Sequence, residues 1–362
     1  MKKSDIKQRF CWVDEMIELS ELMAHGELRE KLEGNTMRCL ACAQRCLITE
    51  NSHGNCRVRC NRNGELWVPF RHVSGAQCDP VEKKPFYHVR PGALAFSYGM
   101  RGCNFHCDYC QNWTISQVPV DSNATVHPAH LTKTSPEELV AAALHSGAEL
   151  MISTYNEPLI TGEWNAAVFK SARAANLLTG YVSNGYATPE ALAYLLPLID
   201  VFKVDLKTFD DDRYRQFGGS LAPVLETIRS LYREGVWVEV VTLLVPGFND
   251  SEDELTKLTE FLSDVSPDIP WHVTAFHRDY RMTGHENTTP EDLLRAAQIG
   301  RRSGLRFVYA GNLPGRTGTW ENTTCPDCGM RLVERRGFTV VKNQLHHSGI
   351  CPGCGSSIPG RW

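Results

Sequence analysis

The chain has 362 residues, 42% of them hydrophobic, and its 42 acidic and 38 basic residues give a formal net charge of -4. This length allows one large domain with attachments or two domains. The lack of a basic excess argues against a nucleic-acid partner, and no apolar stretch reaches the roughly 18 residues of a membrane span. The charged N-terminus lacks a signal-peptide core, so we expect a soluble, cytoplasmic protein.

Apolar and charged residues alternate at helical spacing over residues 4–33, which predicts an N-terminal helical region that Gly26 and Gly34 punctuate. The apolar positions include Ile6, Phe10, Val13, Ile17, Leu28 and Leu32. We assign residues 1–90 to an N-terminal region made of this helix and a cysteine-rich, metal-binding segment.

The chain contains 14 cysteines, and all but Cys11 and Cys78 fall into three close groups. Clustered cysteine pairs in a chain without a secretion signal favour metal sites over disulfides. We therefore expect three metal centres, and we interpret the two isolated cysteines as buried thiols.

The first group offers four thiolates, with Cys60 as a fifth, and a hairpin turn is predicted just after it at Asn63-Gly64. Four thiolates suit either tetrahedral zinc or a second iron–sulfur cluster, and their spacing alone does not decide. A second cluster would relay electrons, whereas zinc would brace the loop. The four cysteines are Cys39, Cys42, Cys46 and Cys56.

The second group has the spacing C-x3-C-x2-C and comprises Cys103, Cys107 and Cys110. Thiolates bind iron–sulfur clusters, and three close ligands on a cluster of four irons leave one iron open to a small molecule. The alternatives are a zinc site that lacks its fourth ligand, or buried thiols without a metal. A strand-like run over residues 93–98 precedes the loop, which places the cysteines where an α/β fold carries a cofactor.

Strands and helices alternate between residues 93 and 312, which predicts an α/β fold with a parallel sheet. We expect a partial, open TIM-type (β/α)6 barrel over residues 91–315, with functional groups at the carboxyl ends of its strands. The predicted strands are Leu94–Tyr98, Leu150–Tyr155, Gly180–Ser183, Val201–Leu206, Val236–Val245, His272–Phe276 and Arg306–Ala310.

Helix starts are readable between these strands. Ser135, Thr188 and Thr289 each precede a proline and then an acidic residue, which predicts an N-cap followed by a first turn that suits the helix dipole. The acidic run 250–254 predicts a further helix start.

The last forty residues change character. Two matching C-P-x-C-G runs flank two short predicted strands, Arg331–Glu334 and Phe338–Val341. Such paired knuckles are typical of closed zinc sites, so we predict a zinc-ribbon-like module over residues 320–362. The predicted ligands are Cys325, Cys328, Cys351 and Cys354.

With the cysteine loop, several further runs resemble the radical SAM enzymes, and more narrowly the radical SAM member of the AmmeMemoRadiSam system, whose core is similar to the enzymes that activate pyruvate formate-lyase. The resemblance covers nearly the whole chain. The runs that carry it are the N-terminal cysteine segment, residues 39–60, and residues 78–85, 102–117, 154–158, 183–185, 205–207, 244–249, 271–277 and 358–362.

This resemblance implies an oxygen-sensitive oxidoreductase. A [4Fe–4S] cluster on Cys103, Cys107 and Cys110 would reductively cleave S-adenosylmethionine (SAM) to a 5′-deoxyadenosyl radical, which abstracts hydrogen from a substrate. The electron donor would be a protein such as flavodoxin or ferredoxin. The cofactors carry the difficult chemistry, and the protein positions them and excludes water and oxygen.

The resemblance also implies the SAM contacts. Tyr109 would lie near the adenine. Glu157 would bind the amino group, although related enzymes carry Gly-Gly-Glu where this chain has Tyr155-Asn156-Glu157. The ribose and carboxylate would be held by Asn184 together with Asp205 and Lys207, which share one face of a strand. His272 could bind the sugar or the substrate, and His277 is a weaker candidate because an isolated histidine is more often simply packed.

Two alternatives accompany this reading. A glycyl-radical activase would modify a partner protein, but the simplest activases lack the two outer cysteine groups. The AmmeMemoRadiSam resemblance instead implies association with Memo-like and AMMECR-like proteins. An adaptor that holds only zinc and never cleaves SAM is the second alternative, and the acidic balance argues against its nucleic-acid form.

Overall fold

A computed structural model describes residues 20–117, 131–345 and 348–362. Its N-terminal part consists of short antiparallel strands in two three-stranded sheets, ordered β1-β6-β5 and β2-β3-β4, with β7 pairing later in the chain. These strands are β1 (Met23–His25), β2 (Arg29–Lys31), β3 (Met37–Cys39), β4 (Leu47–Ile48), β5 (Cys60–Arg62), β6 (Glu65–Pro69) and β7 (His72–Val73).

The helix predicted over residues 4–33 is wrong in its described portion, which forms a 3-10 turn at Ser20–Leu22 and then β1 and β2. Pairing with distant strands overrides the local pattern here. The Gly26 amide donates to the Leu66 carbonyl, and Leu28 is buried against Ile48 and Val68. The rest of that prediction, with Cys11, lies outside the described residues.

The hairpin predicted at Asn63-Gly64 is confirmed. Arg62 pairs with Glu65 across the turn, where β5 and β6 meet antiparallel. Asn63 and Gly64 have φ angles of 53° and 74°, the left-handed values that a two-residue hairpin requires.

One eight-stranded sheet, ordered β16-β15-β14-β13-β12-β11-β9-β8, forms the centre of the molecule. Its neighbouring strands are parallel, except that β8 runs antiparallel to β9 at one edge. All seven predicted strands are present, while closure into a partial barrel stays a prediction. The strands are β8 (Gly75–Pro80), β9 (Leu94–Gly99), β10 (Thr132–Lys133, paired with β7), β11 (Leu150–Ser153), β12 (Leu178–Ser183), β13 (Val201–Asp205), β14 (Trp237–Leu244), β15 (Trp271–Ala275) and β16 (Val308–Gly311).

Helices connect these strands. Ser135, Thr188 and Thr289 cap their helices as predicted, and Ser135 and Thr289 do so in capping boxes. A helix also starts in the run 250–254 as predicted, with Ser251 as its cap. No helix in the described ranges is long and apolar enough to cross a membrane. The helices are α1 (Trp113–Ser116), α2 (Pro136–His145), α3 (Gly162–Ala174), α4 (Pro189–Leu195), α5 (Asp211–Gln216), α6 (Leu221–Arg233), α7 (Glu252–Val265) and α8 (Pro290–Arg302).

The C-terminal residues form a small antiparallel sheet of β17 (Thr323–Thr324), β18 (Arg331–Arg336) and β19 (Thr339–Asn343). It is not a detached module, because it shares a buried apolar cluster with the central sheet. A buried ion pair between Arg335 and Glu82 also joins the two parts. The shared cluster contains Tyr87, Phe307, Tyr309, Leu332, Val333, Leu345 and Ile358.

Candidate functional site

A cavity of about 420 Å³ opens at the carboxyl ends of the parallel strands. Ligand sites of parallel α/β folds occupy this edge, and the volume lies in the range of small-molecule pockets. The cavity gathers residues that follow β9, β11, β12 and β13 in the sequence. Those predicted as functional are Cys103, Cys107, Tyr109, Cys110, Glu157, Asn184, Asp205 and Lys207.

The loop after β9 brings its three cysteines to this cavity. Gly102, with a φ of 86°, turns the chain into the loop, and the Phe105 amide donates to the Cys103 sulfur at 3.4 Å. Burial raises the pKa of all three thiols, that of Cys107 to about 12. Bound iron would displace these protons, because thiols ligate metals as thiolates. Among the described residues no fourth cysteine lines the cavity.

Glu157 lies at the bend after β11 with 2% of its surface exposed. Its carboxylate accepts hydrogen bonds from the Ser183 hydroxyl at 2.7 Å and the backbone amides of Leu159 at 2.9 Å and Asn184 at 2.8 Å. Burial nevertheless dominates and raises its pKa to about 7. An ammonium group in the cavity would favour the carboxylate form. Tyr155, which replaces a family glycine, has a φ of 73°.

Asn184 links the cysteine loop to β12. Its side-chain amide donates to Asn104 Oδ1 at 2.7 Å, and its Oδ1 accepts from the Tyr186 amide at 3.0 Å. The Asn104 Nδ2 is buried without a hydrogen-bond partner in the part of the chain that the structure describes. A buried orphan donor beside Cys103 fits a site that holds a further group. Asn104 was not among the predicted site residues, although its position between Cys103 and Cys107 could have indicated it.

Lys207 and Asp205 form an ion pair of 2.6 Å at the end of β13. Burial opposes the lysine charge, but the Asp205 carboxylate together with the charges of Cys107 and Tyr109 raises the pKa of Lys207 well above its usual value. The Lys207 ammonium lies 5.6 Å from the centre of the Tyr109 ring. The Tyr109 hydroxyl is a second buried polar atom with no hydrogen-bond partner in the described ranges. These groups and the three thiols fit an iron–sulfur cluster with a small polar cofactor.

His272 does not line this cavity, and its contact with a cofactor stays a prediction. It lies on β15 two residues deeper than Thr274, which does line the cavity. Its Nε2 is 2.6 Å from the carboxylate of Glu239, which also pairs with buried Lys203. Burial lowers the pKa of His272 to about 3, so a neutral ring serves this internal network. His277 lies beside Gln111, 3.0 Å from its amide nitrogen.

The Glu239 network was missed at the sequence level. Glu239 also accepts hydrogen bonds from the backbone amides of Tyr87 and His88, both at 3.0 Å. The available signal was charge inside apolar strands, with Lys203 in Val-Phe-Lys-Val and Glu239 in Trp-Val-Glu-Val. Such residues are rarely buried unless paired.

The C-terminal cysteines converge as predicted. Their four sulfur atoms all lie within 4.8 Å of one another, with distances of 3.6 Å between Cys325 and Cys354 and between Cys328 and Cys351. The two knuckles are equivalent turns, because Gly329 donates to the Cys325 carbonyl as Gly355 donates to that of Cys351, each at 2.9 Å. This group could hold one metal ion.

The N-terminal cysteines also lie near one another, and three of the predicted four, Cys39, Cys42 and Cys56, are buried. The pKa of Cys42 is raised by burial and by the charges of the other three, Cys39, Cys56 and Cys46. Burial also raises the pKa of Cys60, against the opposing effect of Arg62, and this fifth cysteine lies within β5, opposite Trp67.

Three thiols on one loop share a cavity with a carboxylate, an amide and an amine at the ends of parallel strands, an arrangement that fits the iron–sulfur enzymes. Comparison with known proteins then gives the family. The model of the radical SAM superfamily matches residues 97–261. The chain is 37% identical to the uncharacterized protein MJ0808 of Methanocaldococcus jannaschii over 339 residues, 93% of this chain and 99% of that protein. The chain belongs to the radical SAM superfamily.

Two activating enzymes are also similar. The chain is 29% identical to the isethionate sulfite-lyase activating enzyme of Nitratidesulfovibrio vulgaris over 182 residues. This alignment covers 48% of this chain and 57% of that enzyme. The chain is 23% identical to the pyruvate formate-lyase 1-activating enzyme of Escherichia coli K12 over 233 residues, and this alignment covers 60% of this chain and 93% of that enzyme. The superfamily implies catalysis with a [4Fe–4S] cluster and SAM.

Proposed function

We propose that this enzyme binds a [4Fe–4S] cluster on Cys103, Cys107 and Cys110 and reductively cleaves SAM to abstract hydrogen from a substrate. When bound, the cluster supplies one electron and SAM supplies the 5′-deoxyadenosyl group, which leaves as 5′-deoxyadenosine alongside methionine. The observation that carries the proposal is a single cavity shared by three thiols and the polar side chains that follow the next strands.

Different side chains of this cavity bind different groups of SAM. Glu157 accepts the ammonium group through the part of its carboxylate that its three hydrogen bonds leave open. Lys207 faces the carboxylate of SAM, with its charge maintained by Asp205. Asn184 and the Tyr109 ring border the remaining space, where the ribose and adenine fit.

The test is cleavage of SAM by the full chain, purified without oxygen and reduced with dithionite. The unsubstituted protein should form 5′-deoxyadenosine and methionine, measured by liquid chromatography. Cys107→Ala should form neither, since its cluster lacks one of three ligands. The matched control is Cys78→Ala, whose thiol contacts the Ser146 carbonyl away from the cavity. Equal product from Cys107→Ala and the unsubstituted protein would refute the proposal.

A glycyl-radical activase is the second candidate, and the two activating enzymes among the relatives favour it. The reduced enzyme with SAM would then install a radical on a glycine of a partner protein. Incubation with pyruvate formate-lyase as the probe should give the electron paramagnetic resonance signal of that radical. Cleavage of SAM without the glycyl-radical signal would favour a substrate other than a glycyl-radical enzyme. The AmmeMemoRadiSam resemblance also favours such a substrate.

The accessory components are part of the same proposal. Flavodoxin or ferredoxin should replace dithionite in the cleavage assay. The C-terminal group should hold zinc, because closed four-cysteine sites of this geometry mainly stabilise the fold. Memo-like and AMMECR-like proteins should co-purify with the tagged enzyme, and the failure of both to do so would argue against that association.

A further inference from the structure

The four thiols Cys39, Cys42, Cys46 and Cys56 are spread more widely than the C-terminal four. Across residues 20–117, 131–345 and 348–362, the C-terminal group is the one set of three or more metal-binding side chains whose ligand atoms all lie within 4.8 Å. No three of the N-terminal thiols meet that limit, so the two four-cysteine groups differ in size.

The size of a thiolate site depends on what it encloses. A tetrahedral zinc ion with Zn–S bonds of about 2.3 Å holds its sulfur atoms roughly 3.8 Å apart, and the C-terminal pairs at 3.6 Å match this. An iron–sulfur cluster binds each thiolate to a metal at its own corner, which spreads the sulfur atoms further. The cysteines of the radical SAM loop, residues 103–110, provide an internal reference, because they too exceed the 4.8 Å limit.

The N-terminal thiols are nevertheless one group, built to accept a partner. The Asn55 amide donates to the Cys46 sulfur at 3.3 Å. Such an N–H donor stabilises a thiolate rather than a thiol. The buried Arg59 guanidinium also belongs to this segment, and its charge is paired with Glu163 at 2.7 Å.

This group adjoins the radical SAM loop. The Cys56 carbonyl oxygen lies 3.1 Å from where a side chain on Gly102 would begin, one residue before Cys103. From the segment between Cys42 and Cys46, the Gln44 amide donates to the Asn104 carbonyl at 3.3 Å.

From the spread, the Asn55 donor and this position, we propose that Cys39, Cys42, Cys46 and Cys56 bind a second iron–sulfur cluster beside the radical SAM cluster. Cys60 is not assigned as a ligand, because it lies within β5, opposite Trp67. The superfamily match begins at residue 97, after this group, so the second site lies outside the matched region. Its metal can be counted whether or not the proposed cleavage of SAM takes place.

The test removes the radical SAM cluster and measures the metal that remains bound to the chain. The full chain with Cys103, Cys107 and Cys110 all changed to Ala is purified without oxygen, and iron, sulfide and zinc are measured per chain. We expect about four irons, or about two for the smaller cluster type, with equal sulfide, and about one zinc. Adding Cys42→Ala should remove this iron, whereas adding Cys60→Ser, the matched control, should leave it.

Two results would overturn the proposal. One is about two zinc ions with almost no iron in the triple variant, which would make the N-terminal group a zinc site. The other is about one zinc and almost no iron, which would leave that group without metal. Because substitutions can impair folding, the unsubstituted chain serves as a second measurement, with about eight or six irons expected against four for a single cluster. Neither count depends on whether SAM is cleaved.

Discussion

At the scale of single residues, the unusual property of the cavity is the protonation of Glu157, whose pKa is raised to about 7 by burial. Only the carboxylate form pairs with an ammonium, so SAM should bind roughly tenfold more weakly at pH 6 than at pH 8. Glu157→Gln should weaken binding roughly 10- to 100-fold at pH 8, because a charge-assisted hydrogen bond is lost, and should abolish the pH dependence. Equilibrium dialysis of the cluster-loaded protein measures both.

The control is Glu149→Gln, which alters an exposed acid paired with Arg90 outside the cavity. An unchanged pH dependence in Glu157→Gln would show that Glu157 does not bind SAM.

The raised pKa of Glu157 also affects the stability of the fold. Because the folded pKa lies above the ordinary value of 4.5, this group's contribution to stability is full below about pH 4.5 and is lost as the pH rises through about 7.

Placement in the cavity could be predicted where residue chemistry and spacing coincide, as for Cys103 and Glu157. The Glu239 network around His272 could not be predicted, because sequence indicates that the histidine faces the inside of a parallel sheet but not how deep along the strand it lies. Depth depends on the register of β15 against β14, where Val241 is opposite His272. The ion pair of Lys203 with Glu239 was missed for the same reason, since its members are 36 residues apart.

At the scale of elements, the loop after β9 depends on the bare backbone of Gly102. A side chain there would meet Val58 at 2.8 Å and would adopt a φ of 86°. Gly102→Ala should combine about 1–2 kcal/mol of backbone strain with about 1–3 kcal/mol of overpacking. The loop should also shift, so that the protein loses iron from the radical SAM site. Thermal unfolding and iron analysis measure the two effects.

Gly147→Ala is the matched control, because Gly147 has a φ of 71° and open space around it. This variant should lose only the stability that backbone strain costs, and its iron content should be unchanged. Equal losses of stability in the two variants would show that contact with the N-terminal segment does not shape the loop.

Elements were predictable where local signals were strong. The capped helices and the hairpin at 63–64 depend on residues adjacent in sequence, and they were predicted correctly. The region 20–33 was not, because β1 pairs with β6 some 44 residues away and a local pattern carries no information on that partner. Likewise, sequence spacing alone left the metal of the N-terminal cysteines open.

At the scale of the whole molecule, the buried pair of Arg335 and Glu82 joins the two ends of the chain. Arg335→Met should destabilise the protein by about 3–5 kcal/mol, because it leaves a buried carboxylate without its cation. Burial already raises the pKa of Glu82, and losing Arg335 raises it further, so the deficit should grow as the pH rises. Thermal unfolding at pH 5 and pH 8 measures this.

The control is Arg331→Met on the same strand, whose side chain is 48% exposed and pairs with Glu334. It should change stability by less than about 0.5 kcal/mol. Adding Glu82→Gln to Arg335→Met should recover part of the loss and remove its pH dependence. A pH-independent loss in Arg335→Met alone would show that packing rather than charge joins the ends.

The same pair also bears on how the protein is made. Its partners are 253 residues apart, and the Arg361 amide donates to the His88 carbonyl at 2.7 Å. Chains generally fold from the N-terminus during synthesis, but Glu82 lacks the Arg335 cation until that residue has left the ribosome. The β8–β9 edge must therefore wait, hydrated, until residue 335 has been synthesised, and a nascent chain stalled before that residue should be a substrate for chaperones and proteases.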